Sequence, residues 1–160
     1  MSAQSDATYL LVHGTCVAVG PSALLLRGPA GSGKSDLALR LVLDPPSGVS
    51  LASAPRLVAD DQCRMTREEG KIIVRPPMSI AGLIEVRGLG VIRLPYVAEA
   101  ELRLIVDLLP RESVERLPTP GKTVALLGAN VSCIGLHAFD SSSSIKVLLA
   151  LATAVGQNYI

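Results

Sequence analysis

Short apolar runs alternate with glycine- and proline-rich segments along the chain. Residues 8–12, 15–19 and 23–26 are mostly apolar, and the third run leads straight into a glycine-rich segment. Runs of this length that are rich in valine and leucine predict β-strands. From Lys34 onward, apolar residues recur at helical spacing until the segment DPP at 44–46. Because proline disfavours helical backbone in the residue before it, we predict that this helix stops there.

The rest of the chain continues this alternation. Residues 44–55 form a polar connector rich in proline and serine, which we expect at the surface. The segment 83–94, LIEVRGLGVIRL, mixes β-branched residues with two glycines and predicts extended chain that bends or approaches another group closely. A serine run at 141–144 offers N-caps for a last helix. The predicted apolar face of that helix comprises Ile145, Leu148, Leu149, Ala152 and Val155. The other predicted strands are 56–59, 63–66, 71–75, 103–108, 123–127 and 131–136, with a loop at 110–122.

These elements predict an α/β fold in which mixed β-sheets are flanked by helices. At 160 residues the chain has the length of one domain, so we expect a single domain over residues 1–160. The core must be aliphatic, because the chain has no Trp, one Phe and three Tyr.

Composition and charge exclude several classes of protein. With 15 basic and 14 acidic residues and few aromatic ones, the chain lacks the basic stripe and stacking residues of nucleic-acid binders. The three cysteines have no CxxC spacing, so we expect reduced thiols that pack as small apolar side chains. The N-terminus, MSAQSDATYLL, has no basic segment before an apolar one, which predicts no secretory signal. No apolar run approaches the roughly 18 residues of a membrane span. We therefore expect a cytoplasmic protein with no membrane contact.

The segment GPAGSGKS, from Gly28 to Ser35, fits the phosphate-binding loop pattern (P-loop) of glycine, four residues and Gly-Lys-Ser. In such loops the backbone N–H groups turn toward phosphate oxygens, the lysine neutralises the terminal phosphates and the serine hydroxyl ligates Mg²⁺. Lys34 and Ser35 hold these two positions. The predicted phosphate-binding residues are Gly28, Gly31, Ser32, Gly33, Lys34 and Ser35. A strand before the loop and a helix after it favour this interpretation, so we predict a nucleoside triphosphate with magnesium.

Two adjacent acids end the predicted strand in LVADD. An apolar strand that ends in Asp after a P-loop usually supplies a metal-bridging acid, and Asp60 is placed to do so. A second acid, Asp61, is not needed for the metal. It could act as a base toward an incoming hydroxyl, or it could simply form a turn. Spacing alone leaves both roles of Asp61 open.

Three segments together resemble the catalytic domain of the HPr kinase/phosphorylase family. They are LVHGTCVAV before the loop, GPAGSGKSDLAL with RLVADD after it, and IEVRGLGVIRL downstream. The last is the most specific, because plain P-loops are widespread. The resemblance implies a domain of the phosphoenolpyruvate-carboxykinase-like type, in a short form that consists of the catalytic domain. It also implies ATP and Mg²⁺, a serine on an HPr-like phosphocarrier protein of the bacterial phosphotransferase system as acceptor, and an assembly that is hexameric in the family.

The resemblance also implies roles for individual residues. Asp61 corresponds to the proton acceptor of phosphorylation and proton donor of the reverse reaction, and Glu85 to a second metal-associated acid beside Asp60. His13 matches an active-site histidine, and Arg116 aligns with an active-site arginine. The arginine- and glycine-rich phosphorylase segment of the family is not recognisable after Arg116, so the reverse reaction is left open. Two alternatives are a non-catalytic module that senses nucleotide or phosphate and a small-molecule P-loop kinase.

Overall fold

The computed structural model describes residues 8–157, which form eleven strands, two α-helices and two short 3₁₀ helices, Met78–Ile80 and Arg111–Ser113. Residues 1–7, which the prediction about a secretory signal concerns, lie outside that part. The strands are β1 (Tyr9–His13), β2 (Thr15–Val19), β3 (Ser22–Arg27), β4 (Arg56–Ala59), β5 (Gln62–Glu68), β6 (Lys71–Arg75), β7 (Leu83–Val86), β8 (Gly90–Arg93), β9 (Ala100–Leu108), β10 (Thr123–Leu126) and β11 (Ala129–Leu136). The helices are α1 (Lys34–Leu43) and α2 (Ser143–Ala154). No helix among these residues is both long and apolar enough to cross a membrane.

A mixed sheet of nine strands carries the fold, and β9 is its branch point. The order is β1-β5-β6-β9-β3-β2-β4, with β11 also paired to β9 and β10 paired to β11. Strand β6 pairs with the first residues of β9, whereas β11 runs parallel to residues 104–108 on the same side. Strand β3 runs parallel to β9 on the other side. The carboxyl ends of β3, β9 and β11 therefore lie at one edge of the sheet, where α/β proteins bind ligands.

Strand β3 is covered on both faces. Leu24 and Leu26 pack with α1 and α2 on one face, and Ala23 and Leu25 pack with β5 and β6 on the other. All four side chains are fully buried. This explains why the sequence of β3 is a continuous apolar run rather than an alternating one.

Both helices cover the same face of the sheet. The prediction for α1 is confirmed, because Leu37, Ala38, Leu41 and Val42 are its buried residues. The predicted apolar face of α2 is wrong in part. Its buried apolar residues are Val147, Leu148, Leu151 and Ala152, whereas Ile145 is exposed and Leu149 and Val155 are only partly buried. The interior of α2 is apolar almost all round, so helical spacing alone did not fix which face packs inward.

The serine run does not cap α2 as predicted. Ser142 is the N-cap residue, but no side chain caps the helix. Instead the Ser143 hydroxyl is buried and donates a hydrogen bond to the carbonyl of His137 at 2.5 Å. The run thus ties the start of α2 to the segment that follows β11.

The segment 83–94 folds into a separate two-stranded sheet, β7-β8. Gly88 and Gly90 have φ values of 92° and 90°, and a Cβ added at either would meet no other atom within 4 Å. The positive φ values show the bend that was predicted for these glycines. Ile84 anchors the hairpin in the core beneath α1.

An ion pair joins β3 to β9 immediately before the P-loop. The Arg27 guanidinium donates to both carboxylate oxygens of Asp107, at 2.7 and 3.0 Å. The Cys133 thiol of β11 lies 3.4 Å from the same carboxylate. Burial opposes ionisation of Asp107, but the hydrogen bonds and charge of Arg27 outweigh it and hold the pKa of that carboxyl below its usual value.

Replacing Asp107 with Asn is expected to destabilise the fold at pH 7 by about 1–2 kcal/mol, because it leaves the Arg27 charge without its partner. Because the pKa of Asp107 is lowered in the folded protein, its contribution to stability depends on pH. The carboxylate stabilises the fold above its unfolded-state pKa, and this contribution is lost as the pH falls below about 4. Urea denaturation of wild type and Asp107→Asn should therefore show a gap at pH 7 that narrows near pH 3. A gap that is the same at both pH values would contradict this assignment. Glu68→Gln, which breaks an exposed ion pair with Arg75, serves as a control and should change stability little.

Candidate functional site

The glycine-rich loop lies between β3 and α1, at the carboxyl edge of the sheet. Gly31 and Gly33 have φ values of 82° and 97°, which favour glycine. A side chain at Gly33 would also collide with Ala138 and Phe139, whose nearest atoms lie 2.6 and 2.9 Å from an added Cβ. Gly28 is crowded in the same way by Ser32. The loop conformation therefore depends on these glycines.

Lys34 reaches back over the loop that precedes it. Its ammonium donates to the carbonyl of Gly28 at 2.6 Å and to that of Pro29 at 3.1 Å. This places the positive charge at the mouth of the loop, together with the first backbone N–H groups of α1. The Oγ atom of Ser32 is buried and has no hydrogen-bond partner among the described residues. A buried hydroxyl that lacks a partner, in a glycine-rich loop that also carries a lysine, is available to donate a hydrogen bond to an oxyanion ligand.

A magnesium ion would need oxygen atoms from the phosphates. Among residues 8–157, no group of three or more His, Cys, Asp or Glu side chains is arranged to hold a metal. Protein sites usually bind Mg²⁺ through one or two side chains and substrate phosphates. Ser35 and Asp60 are the pair that lies close enough to share such an ion, since their side-chain oxygens are 3.4 Å apart.

Asp60 is the buried member of the acid pair. Only 8% of the residue is exposed. Its Oδ1 accepts hydrogen bonds from the hydroxyls of Thr15, at 2.8 Å, and Ser35, at 3.4 Å. Its Oδ2 accepts a bond from the backbone N–H of Glu85 at 3.1 Å. The carboxylate is therefore fixed beneath the start of α1 and cannot move without breaking three contacts.

Asp61 is the exposed member, and it points away from Asp60. Its φ of 68° lies in the left-handed region, so the chain turns sharply as β4 ends. The side chain is 68% exposed, and its Oδ1 lies 3.2 Å from Nδ1 of His13, which is itself 61% exposed. The backbone carbonyl of Asp61 accepts a hydrogen bond from the N–H of Gly14 at 3.1 Å. The turn thus brings together the acid and the histidine of the HG dipeptide.

Cys63 lies directly behind this turn and is fully buried. Burial, together with the negative charges of Asp60 and Asp61, raises the pKa of its thiol to about 12. Cys16 and Cys133 are also buried, and all three cysteines are free. The prediction that they pack as small apolar residues is confirmed.

Two predicted site residues are not joined to this cluster by their side chains. Glu85 contributes its backbone N–H, while its side chain is exposed on the β7-β8 hairpin. Arg116 is exposed in the loop after β9 and forms no hydrogen bond or ion pair with any residue from 8 to 157. Their roles stay predictions.

Thr15 is a site residue that the sequence did not reveal. It is fully buried and makes the shortest hydrogen bond to Asp60. The two residues lie 45 positions apart, so no local spacing rule links them. Only the antiparallel pairing of β2 with β4, which was not predictable from local pattern, places the hydroxyl beside the acid.

Comparisons with known proteins agree with this geometry. The family model of the HPr Serine kinase C-terminal domain matches residues 4–157. An HPr kinase/phosphorylase of Clostridium beijerinckii is 32% identical over 130 residues, which are 75% of this chain and 40% of that protein. One of Chloroherpeton thalassium is 27% identical over 163 residues, which cover 95% of this chain and 44% of that protein. The chain thus spans about two fifths of the length of these relatives.

The same fold is present in a solved structure. The Hpr(Ser) kinase/phosphatase from Coxiella burnetii matches with a TM-score of 0.71 and 25% identity, over 91% of this chain and 88% of that chain. The mixed α/β architecture predicted from the sequence is therefore confirmed. Because the family model runs through the P-loop, both acids and the last helix, the chain belongs to the family of HPr serine kinase C-terminal domains.

Proposed function

We propose that this protein is an ATP-dependent serine kinase that phosphorylates an HPr-like phosphocarrier protein in the cytoplasm. The observation that supports it best is that two adjacent acids differ in burial and in the residues they contact. Asp60 is buried against Ser35 of the P-loop, whereas Asp61 is exposed and lies beside His13. A domain that only held nucleotide and metal would need the first acid and not the second.

The phosphate end of the site would hold ATP through the loop and Lys34. Ser35 would ligate Mg²⁺, with Asp60 and the side chain of Glu85 as the associated acids. When bound, the ion offsets charge on the β- and γ-phosphates. Phosphoryl transfer depends mainly on positioning and charge neutralisation. Because the carboxylate of Asp60 is fixed, it would hold the ion in a defined position for both.

Asp61 would act on the incoming serine. Its exposed carboxylate accepts the proton of the serine hydroxyl while the serine oxygen bonds to the γ-phosphorus and the bond from that phosphorus to the bridging oxygen breaks, which releases ADP. His13, at 3.2 Å, orients the carboxylate toward the acceptor. Because a protein-borne serine must reach this carboxylate, the exposure of Asp61 is a requirement of the mechanism.

The reverse reaction would use the same carboxylate. An oxygen of inorganic phosphate would attack the phosphorus of phosphoserine and the bond from that phosphorus to the serine oxygen would break. Asp61 would return the proton to the serine oxygen, and pyrophosphate would be released. Arg116 would offset charge on the transferred group from the loop after β9. We further propose that residues 1–160 form one domain of the phosphoenolpyruvate-carboxykinase-like type and that it assembles into homo-oligomers.

Phosphate transfer from γ-labelled ATP to the carrier of the same organism is expected to fall by about 10²- to 10⁴-fold in Asp61→Asn, because the general base is removed. ATP binding should be unchanged, since Asp61 lies outside the loop. Asp44→Asn, an exposed acid at the far end of α1, serves as the matched control and should transfer at the wild-type rate. A carrier in which the acceptor serine is alanine should take up no label. Transfer that persists in Asp61→Asn would favour the sensing module over the kinase.

Asp60→Asn should weaken ATP binding, which Asp61→Asn should leave unchanged. Loss of the buried carboxylate is expected to weaken Mg²⁺-dependent ATP binding by about tenfold or more, as for residues that orient metal ligands. Calorimetric titration of ATP with and without Mg²⁺ measures this directly. Circular dichroism of the variant is needed alongside, because Thr15 loses its charged acceptor. If Asp60→Asn bound Mg²⁺-ATP like wild type, the metal would have to be assigned to other residues.

A further inference from the structure

The single phenylalanine of the chain lies outside both hydrophobic cores. Aliphatic side chains fill the two cores, and Phe139 is 55% exposed in the segment that joins β11 to α2. Phenylalanine is ordinarily among the most buried residues. Here one edge of the ring packs against the P-loop, because its nearest atom lies 2.9 Å from an added Cβ at Gly33. An aromatic ring is thus presented to solvent beside the loop that would hold the phosphates.

The layout of the sheet indicates which way a nucleotide would extend from that loop. Asp60 ends β4, which is separated from β3 by β2. On the opposite side of β3 come β9 and then β11. A magnesium ion held by Ser35 and Asp60 would offset charge on the terminal phosphates, so the γ-phosphate end would lie on the Asp60 side. The nucleoside must then extend toward the loops that follow β9 and β11, where Phe139 lies.

The segment that carries Phe139 is held in place by several contacts. The guanidinium of Arg40 in α1 donates to the carbonyl of Ala138. The Nδ1–H of His137 donates a hydrogen bond of 2.9 Å to the carbonyl of Leu109. The His137 ring meets the Phe139 ring edge-on, with centroids 5.8 Å apart and planes at 71°. The phenylalanine ring is therefore fixed in position before any ligand binds, which lowers the entropy cost of stacking.

We propose that Phe139 is the stacking surface for the base of the bound nucleotide. The proposal rests on the proposed use of ATP. Every nucleobase presents a π-face, so a single aromatic ring recognises the presence of a base rather than its identity. Phe139 should therefore strengthen binding of ATP and GTP alike, and it should contribute nothing to a ligand that has phosphates but no base.

Equilibrium binding in the presence of Mg²⁺ separates these ligands. Phe139→Leu keeps apolar packing against Gly33 but removes the aromatic face, and Phe139→Ala removes both. Both variants are expected to raise the Kd for ATP by about 5- to 30-fold and to leave the Kd for inorganic tripolyphosphate within about twofold of wild type. Phe139→Trp, which keeps an aromatic face, should bind ATP with an affinity close to that of wild type. Tyr9→Ala removes an aromatic ring of similar exposure, 51%, on strand β1, and it should change neither Kd.

Two results would overturn the assignment of Phe139. Equal weakening of ATP and tripolyphosphate in Phe139→Leu would show that the ring only supports the loop. An unchanged Kd for ATP in both Phe139→Leu and Phe139→Ala would show that the base lies elsewhere. Failure of the proposed kinase would differ from either, because wild type would then bind ATP more tightly than tripolyphosphate and yet transfer no phosphate to the carrier.

Discussion

Burial of one carboxylate is the constraint on which the site depends. A charged group that is removed from water must be met by hydrogen-bond donors, and the three donors to Asp60 come from three different elements. Thr15 belongs to β2, Ser35 to α1 and the N–H of Glu85 to β7. The single carboxylate therefore fixes the start of the P-loop helix and the β7-β8 hairpin to the edge of the main sheet. Every other position in the site is set relative to these elements.

Asp61, the residue next to the buried Asp60, is exposed. Successive side chains at the end of a strand point to opposite sides, so the residue after the buried Asp60 points outward. The left-handed backbone at Asp61 turns the chain there, and its carbonyl accepts a hydrogen bond from the N–H of Gly14. The residue is exposed next to His13 at the end of β1. Two neighbouring acids thus differ in burial, partner and proposed role because their side chains lie on opposite sides of the chain.

Local sequence signals predicted the P-loop, helix α1 and most strands, because glycine spacing and apolar periodicity are properties of short segments. They failed where long-range pairing decides the outcome. Thr15 reaches Asp60 only through strand register, and α2 buries Val147 and Leu151 because β9 and β11 lie on that side. The roles of Glu85 and Arg116 depend on how loops meet a bound nucleotide or partner, and no local pattern encodes that. Phe139 carried no motif, and its relevance arises from contact with Gly33 across the fold.

The different roles proposed for Asp60 and Asp61 are tested most directly by a crystal structure of the protein with Mg²⁺ and a non-hydrolysable ATP analogue. The proposed function predicts a metal about 2.1 Å from Oγ of Ser35 and from phosphate oxygens, with Asp60 beside it. Asp61 should remain outside the coordination shell, next to His13 and within reach of the γ-phosphate side. Direct coordination of the metal by Asp61 would contradict the central claim, since that carboxylate would no longer be available to take the proton of a serine.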